Sequence, residues 1–116
     1  MTGRWQVRLS ARAETDFQNI LRWTRERFGE QQAYLYAETL SAALEALTDG
    51  PNILDARNRD DISEGIFSLH VARHGRKGRH LVLCRVAETA EIPTIDVLRL
   101  LHESMDFPRH LGADAR

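Results

Sequence analysis

Apolar and polar side chains alternate with a period of two near the start of the chain. Trp5, Val7 and Leu9 are separated by single polar residues, which is the pattern of a short half-buried strand. Ser10 comes next, and its hydroxyl is suited to cap the first amides of a helix. We therefore expect a short strand that leads directly into a helix.

Two helices are predicted next, because apolar residues recur at intervals of three and four. The stripe of the first helix contains Ala13, Phe17, Ile20, Leu21, Thr24 and Phe28. The stripe of the second contains Ala33, Ala37, Leu40, Ala43, Leu44 and Leu47. Gly29 is placed to end the first helix, and Gly50 and Pro51 stop the second. The short connection predicts an antiparallel helical hairpin.

The second half of the chain predicts three strands, over residues 66–72, 79–87 and 94–101. The glycines of HGRKG at 74–78 supply a hairpin turn. The polar stretch 52–64 is expected to be a surface loop. The order β-α-α-β-β-β indicates an α+β fold, in which the helical hairpin packs on one face of a twisted, mainly antiparallel sheet.

Composition fits one folded domain. The chain has 116 residues, of which 42% are hydrophobic and 28% charged, as is typical of a soluble globular protein. We expect a single domain over residues 1–111, which ends in a short segment, and a frayed tail at 112–116. The sequence shows neither a secretory apolar region nor a run of membrane-spanning length, which predicts a cytoplasmic protein. Cys84, the single cysteine, is expected to be a buried reduced thiol.

The last two predicted strands are apolar on both faces. Leucines alternate with Val82 and Cys84 in one of them, and Ile95 and Val97 alternate with further leucines in the other. Buried strands show this pattern, yet one helical hairpin covers only one sheet face. Either the C-terminal segment or a partner covers the second face, and we expect a partner.

Charge is unevenly distributed along the chain. The formal net charge of −1 divides into −2 for residues 1–63, +4 for residues 64–86 and −3 for residues 87–116. The basic middle suits a phosphate or an acidic partner, although it is too small for tight non-specific duplex binding. A solvated hairpin tip is the alternative explanation.

Four arginines lie in or beside the apolar strands: Arg73, Arg79, Arg85 and Arg99. Strict alternation predicts that Arg99 shares a face with Ile95 and Val97. The same alternation places Arg85 with Leu81 and Leu83. Such arginines either pair with carboxylates of the same chain or present their planar fork to a carboxylate or phosphate of another molecule.

Common motifs of cofactor and metal chemistry are missing from the sequence. It contains no phosphate-binding glycine loop, HExxH pair, CxxC pair or GxSxG elbow. The spacing matches no usual ligand set for the five histidines His70, His74, His80, His102 and His110. We therefore expect neither a cofactor nor a metal.

Three segments carry a family resemblance: SARAETDFQNILRWTRERFG with the helix after it, IFSLHVARHGRKGRHLVLCRV, and IDVLRLLHESMDFPRHL. The last is the most specific, since its pattern of residues is matched in order by Arg99, Leu101, His102, Met105, Asp106, Arg109, His110 and Leu111. By these segments the chain resembles the RelE/ParE toxin superfamily, and more closely its ParE branch. Cys84 departs from the aromatic residue expected at its position, a change that concerns sheet packing.

This resemblance implies the toxin of a type II toxin–antitoxin pair, one that poisons DNA gyrase by protein contact and performs no catalysis. It also implies a ParD-like antitoxin whose amphipathic C-terminal segment folds onto the toxin. The target-binding candidates are then Arg73, Arg79, Arg99, His102, Met105, Asp106 and Arg109. The antitoxin-binding candidates are Leu81, Leu83, Arg85, Ile95 and Val97.

A RelE-like, ribosome-dependent mRNA endoribonuclease is the alternative interpretation. His102 would take the 2′-hydroxyl proton, and Arg85 and Arg99 would clamp the phosphate. RelE-like nucleases are typically strongly basic, whereas this chain has a pI near 6.5 and a single lysine, Lys77. Composition therefore favours the gyrase poison.

Overall fold

The computed structural model describes residues 4–88 and 90–105. Its elements are β1 (Gln6–Leu9), α1 (Ala11–Phe28), α2 (Glu30–Ala46), a 3-10 turn (Leu47–Asp49), β2 (Arg57–Asn58), β3 (Ile66–His70), β4 (His80–Val86) and β5 (Thr94–His102). The strands form one mixed sheet in the order β1-β5-β4-β3-β2. β3, β4 and β5 are an antiparallel meander, and β1 pairs in parallel with β5. The predicted α+β fold is confirmed.

The helical hairpin begins and divides where the sequence predicts. Ser10 Oγ accepts a hydrogen bond from the Ala13 N–H at 3.0 Å and so caps α1. Gly29 ends α1 and starts α2 with a φ of 96°, a left-handed value that favours glycine. Leu40 and Ala43 are buried and pack α2 against the sheet. Local sequence signals therefore set the position of the hairpin.

The stretch 52–64, predicted as a loop, contains the short edge strand β2. Arg57 lies opposite Ser68 and Asn58 lies opposite Phe67 in an antiparallel pair. Both β2 residues are exposed, and two residues are too few to show an alternating pattern. The loop prediction is wrong at this point because the pairing is set by β3 rather than by local sequence.

A β-bulge in β5 changes the face on which Arg99 lies. Leu83 opposes Arg99, whereas Cys84 opposes Val97, so Leu98 is the additional residue. Directly opposed residues share a face, and Arg99 therefore lies on the face of Leu83. The prediction that Arg99 shares the face of Val97 is wrong, because strict alternation does not survive a bulge.

Two apolar clusters fill the two sides of the sheet. The helix-facing cluster includes Ala13, Leu40, Leu69, Val82, Cys84, Ile95 and Val97. Cys84 is free and buried, as predicted. The second cluster consists of Ile66, Leu83 and Leu101, with Ile62, Leu81 and Leu98 at its margin. Its three central side chains are at most 1% exposed within this single chain. The expectation that a partner must cover the centre of this face is therefore wrong.

Candidate functional site

A groove of about 490 Å³ separates the outer surface of the helical hairpin from the neighbouring ends of β4 and β5. We call it the aromatic groove and define it by Trp23, Phe28, Leu35, Tyr36, His80 and His102. Lys77 and Arg79 lie on its sheet side. A second hollow of about 520 Å³ shares Trp23 and both histidines and extends to Arg99 and Met105. The two hollows adjoin each other along these three shared side chains.

The helical side of the aromatic groove exposes large apolar side chains. Trp23 is 52% exposed, Phe28 63% and Leu35 46%. The rings of Trp23 and Phe28 meet edge to face at 5.8 Å, and the Arg27 guanidinium lies 5.2 Å from the Trp23 ring centre. The prediction that Phe28 belongs to the buried stripe is wrong, because Phe28 is the last residue of α1 and lines the groove instead. Grouped apolar side chains in a groove are typical of a contact site.

Tyr36 joins α2 to the turn before β4. Its hydroxyl accepts a hydrogen bond from the Arg79 N–H at 3.3 Å and lies 2.6 Å from His80 Nδ1. A Cβ at Gly78 would come within 2.8 Å of the Tyr36 side chain and 2.7 Å of Val71, so this close approach requires glycine. Burial raises the pKa of Tyr36 above its ordinary value. The phenol therefore stays protonated at neutral pH, and it forms a short hydrogen bond with His80 Nδ1.

His80 and His102 form the floor of the aromatic groove on the sheet side. Their rings pack edge to face with centres 5.3 Å apart. Burial, followed by the charges of His102 and His70, lowers the pKa of His80 from 6.5 to about 4. His80 is therefore neutral at pH 7. His102 Nδ1 accepts a hydrogen bond from the Ser104 N–H at 3.1 Å and lies 2.8 Å from the Ser104 Oγ.

Glu103 carries the main negative charge next to the histidines. His70 Nε2 lies 3.1 Å from one of its oxygens and Arg79 Nη1 lies 3.5 Å from the other. The hydrogen bond from His70 lowers the pKa of Glu103. Its charge is thus paired with that of Arg79, and Lys77 leaves the sheet side of the groove with a surplus positive charge.

Arg99 is engaged within the chain. Its Nε and Nη2 donate to the two carboxylate oxygens of Asp16 on α1 at 2.7 and 3.0 Å. The side chains of Arg99 and Asp16 are only 11% and 13% exposed. The same carboxylate accepts the N–H of Leu100 at 3.0 Å. This bidentate ion pair connects α1 to β5 just beyond the end of β1.

The predicted target-binding residues are only partly brought together. Those that line the aromatic groove or the adjoining hollow are Arg79, Arg99, His102 and Met105. Arg73 lies elsewhere, with a side chain that is 14% exposed and paired with Asp55 at 3.1 Å. Asp106 and Arg109 lie outside the described residues, as do the rest of the C-terminal segment and the tail.

The predicted antitoxin-binding residues do not form one surface. Ile95 and Val97 are fully buried against the helices, and Leu83 is fully buried on the other face. These three side chains have no surface to offer a partner in this fold, and the prediction is wrong for them. Leu81 is half-buried and Arg85 is exposed, so both remain accessible.

The three residues of the alternative nuclease site do not converge. Arg85 lies opposite Asp96, whereas His80 lies opposite His102. Five residues of β4 separate these two positions, a distance of roughly 16 Å along a strand. Arg99, the second phosphate clamp of that hypothesis, is held by Asp16. One phosphate would not contact all three side chains.

Four residues of the aromatic groove are not among the site residues predicted from the sequence: Trp23, Leu35, Tyr36 and His80. Trp23 and Leu35 are large apolar residues that fall outside the helical stripes, which is the one available signal. Tyr36 and His80 meet across a separation of 44 residues. Only the packing of α2 against the turn at Gly78 brings these two together.

Neither a membrane helix nor a metal cluster is found in the described ranges. None of the helices there combines the length and apolar character needed to cross a membrane. Likewise, residues 4–88 and 90–105 contain no group of three histidine, cysteine or acidic side chains arranged to hold a metal ion.

Two solved structures share this architecture. The chromosomal ParDE toxin–antitoxin system from P. aeruginosa matches with a TM-score of 0.66 at 15% identity, over 84% of this chain and 95% of that one. The toxin–antitoxin complex RelBE2 from Mycobacterium tuberculosis matches with a TM-score of 0.55 at 20% identity, over 90% and 98%. Both solved structures therefore share the fold of this chain.

Comparison of the sequence with known proteins identifies the family of the chain. The family model for the ParE toxin of the type II toxin–antitoxin system parDE matches residues 7–107. Toxin ParE1 of Caulobacter vibrioides is 32% identical over 105 residues, which cover 90% of this chain and 96% of that protein. Toxin ParE1 of Mycobacterium tuberculosis H37Rv is 33% identical over 103 residues, covering 89% and 94%. This chain belongs to the ParE toxin family of type II toxin–antitoxin systems.

Proposed function

We propose that this toxin inhibits DNA gyrase by protein contact, so that replication stalls, and that a ParD-like antitoxin neutralises it. Membership of the ParE family supports gyrase as the target. The observation that carries the proposal is the aromatic groove, whose half-exposed Trp23, Phe28 and Leu35 suit binding to another protein.

The antitoxin is proposed to occupy the aromatic groove rather than the second face of the sheet. An amphipathic segment places its apolar side chains in such a groove. Lys77 and Arg79 on the sheet side favour acidic residues on the polar side of the segment. This choice replaces the site predicted at Leu83, Ile95 and Val97, which are buried.

Gyrase is proposed to bind next to the antitoxin site. Arg79 is 76% exposed in its side chain and Met105 is 42% exposed, and His102 lies between them. The family resemblance remains the reason to propose three further gyrase contacts, Arg73, Asp106 and Arg109. Because Arg79 and His102 also line the aromatic groove, a bound antitoxin would cover part of the gyrase-binding surface. Neutralisation is then direct occlusion of the target site.

Purified toxin assayed with gyrase and with translating ribosomes tests the function. We expect inhibition of supercoiling or accumulation of cleaved DNA, with ribosome-bound mRNA left intact. Arg79→Ala should weaken the gyrase effect, whereas Arg85→Ala, an exposed arginine at the far end of β4, is the matched control and should not. Codon-specific mRNA cleavage that His102→Ala abolishes would establish the nuclease instead.

Co-expression tests the antitoxin arm of the proposal. The chain expressed alone should arrest growth, and the product of the adjacent reading frame should restore it. Trp23→Ala should leave the toxin active but reduce this rescue, because it removes the central apolar contact of the groove. Equal growth with and without the neighbouring product would contradict the toxin–antitoxin assignment.

A further inference from the structure

The two histidines of the aromatic groove are fixed in one tautomer by their neighbours. His102 Nδ1 accepts a backbone N–H from Ser104, so the ring proton of neutral His102 lies on Nε2. His80 Nδ1 faces the Tyr36 hydroxyl at 2.6 Å. Because that hydroxyl already accepts the Arg79 N–H, we assign its own proton to the hydrogen bond with His80 Nδ1. Both rings therefore present an Nε2–H donor.

Neither of these donors is used within the part of the chain that the structure describes. The hydrogen bonds of His80 and His102 run through Nδ1. Both rings are half-buried and line the groove and the adjoining hollow. A half-buried donor of this kind is left to water when no other acceptor is bound. An acceptor group on a bound molecule would replace that water.

Charge indicates which acceptor fits. Lys77 and Arg79 lie on the same side of the groove, and since Arg79 is paired with the carboxylate of Glu103, Lys77 leaves this side with a net positive charge. Two N–H donors beside cations suit the two oxygens of a carboxylate. The facing wall is apolar through Trp23 and Leu35, which suits an apolar group next to that carboxylate rather than a fully hydrated anion.

We propose that His80 and His102 bind the carboxylate of an acidic side chain on the antitoxin segment, one that lies beside an apolar residue packed on Trp23. Tyr36 is a positioning residue, since it directs the His80 proton to Nε2. This inference rests on the antitoxin site proposed above and adds the chemistry by which that segment is recognised.

A small probe tests the carboxylate site without the antitoxin. Phenylacetate, which combines an apolar ring and a carboxylate, is titrated into the full chain at pH 7.5, and phenylacetamide is its uncharged control. Long-range nitrogen–proton NMR correlations report the tautomer and the environment of each imidazole. We expect the Nε2–H form in the free protein, and binding of phenylacetate at least about 10-fold tighter than that of the amide, a difference of about 1.4 kcal/mol.

Variants of the full chain test which residues produce the preference for the acid over the amide. His102→Phe keeps the ring but removes the donor, and it should abolish the preference for the acid over the amide. Tyr36→Phe should reduce this preference and shift His80 toward a tautomer mixture, an effect that a merely structural role would not produce. Arg85→Gln, remote from the groove, is the control. The wild-type titration keeps the proposal testable if a variant fails to fold.

Three results would overturn the inference: equal affinity for acid and amide, an Nδ1–H tautomer at either histidine, or phenylacetate shifts that avoid both rings. The product of the neighbouring reading frame is then added to the phenylacetate complex. Displacement of the probe supports the antitoxin as the source of the carboxylate. Binding of that product without displacement would overturn this assignment, while the gyrase and growth assays would still report the toxin function separately.

Discussion

The second face of the sheet and the aromatic groove are both rich in apolar residues, yet they differ in exposure. Leu83 and Leu101 on the sheet face are at most 1% exposed, although the sequence predicts a partner there. Trp23 and Leu35 in the groove are about half exposed, at 52% and 46%. The apolar pattern of the strands therefore indicated buried residues. Large apolar residues outside the helical stripes indicated the accessible surface.

Asp16→Ala should give the largest loss of stability. It tests whether the Arg99 side chain, at the edge of the second sheet face, is buried. The change leaves the buried Arg99 guanidinium without its bidentate partner, and breaking a buried pair costs about 3–5 kcal/mol. Urea unfolding measures the loss. The exposed pair of Arg8 and Asp96 is the control, and Asp96→Ala should cost far less. Similar losses at both sites would show that Arg99 is solvated.

Two leucine-to-alanine substitutions, one in each region, compare the stability of the two regions directly. Leu101→Ala should cost about 2–5 kcal/mol because it opens a cavity in the second cluster. Leu35→Ala should change the free energy of unfolding by less than about 0.5 kcal/mol, since its side chain is already half exposed. Antitoxin binding should respond in the opposite order, with Leu35→Ala the more harmful. A stability loss at Leu35 that equals the loss at Leu101 would contradict the comparison.

Trp23→Ala tests whether the aromatic groove binds the antitoxin. Central aromatic residues of an interface contribute about 2 kcal/mol or more, so the affinity for the antitoxin should fall roughly 30-fold. Calorimetric titration of the folded variant provides the measurement. Leu54, which is 96% exposed and lies outside the groove, is the control, and Leu54→Ala should bind normally. An unchanged affinity at Trp23 would remove the groove from the antitoxin site.

The smallest expected effect is a pH dependence from His80. Its folded pKa of about 4 lies below the ordinary value of 6.5, so the unfolded chain takes up a proton first as the pH falls. Stability from this group is complete above pH 6.5 and is lost between pH 6.5 and 4. Unfolding measured at pH 7 and pH 5 should show a larger loss for the wild type than for His80→Gln. Equal losses would mean that the ring is solvated.

Local signals predicted the fold well, but the site emerged from long-range packing. Ser10 and Gly29 define the helical hairpin through capping and backbone conformation, which nearby residues determine. The face of Arg99 was mispredicted, because the bulge at Leu98 depends on pairing with β4. The contact of Tyr36 with His80 needs two elements 44 residues apart. Periodicity describes each element separately, and it says nothing about which elements meet.

The parallel pairing of β1 with β5 affects how the protein is made. β1 is synthesised long before the strand that it must join, Thr94–His102, because Gln6 pairs with Thr94. At about 5–20 residues per second, β1 stays unpaired for several seconds of translation. Sequence separation of this size also slows folding. The sheet therefore closes only after β5 has been synthesised, and a chain terminated before β5 would lack a finished sheet and would be exposed to proteolysis.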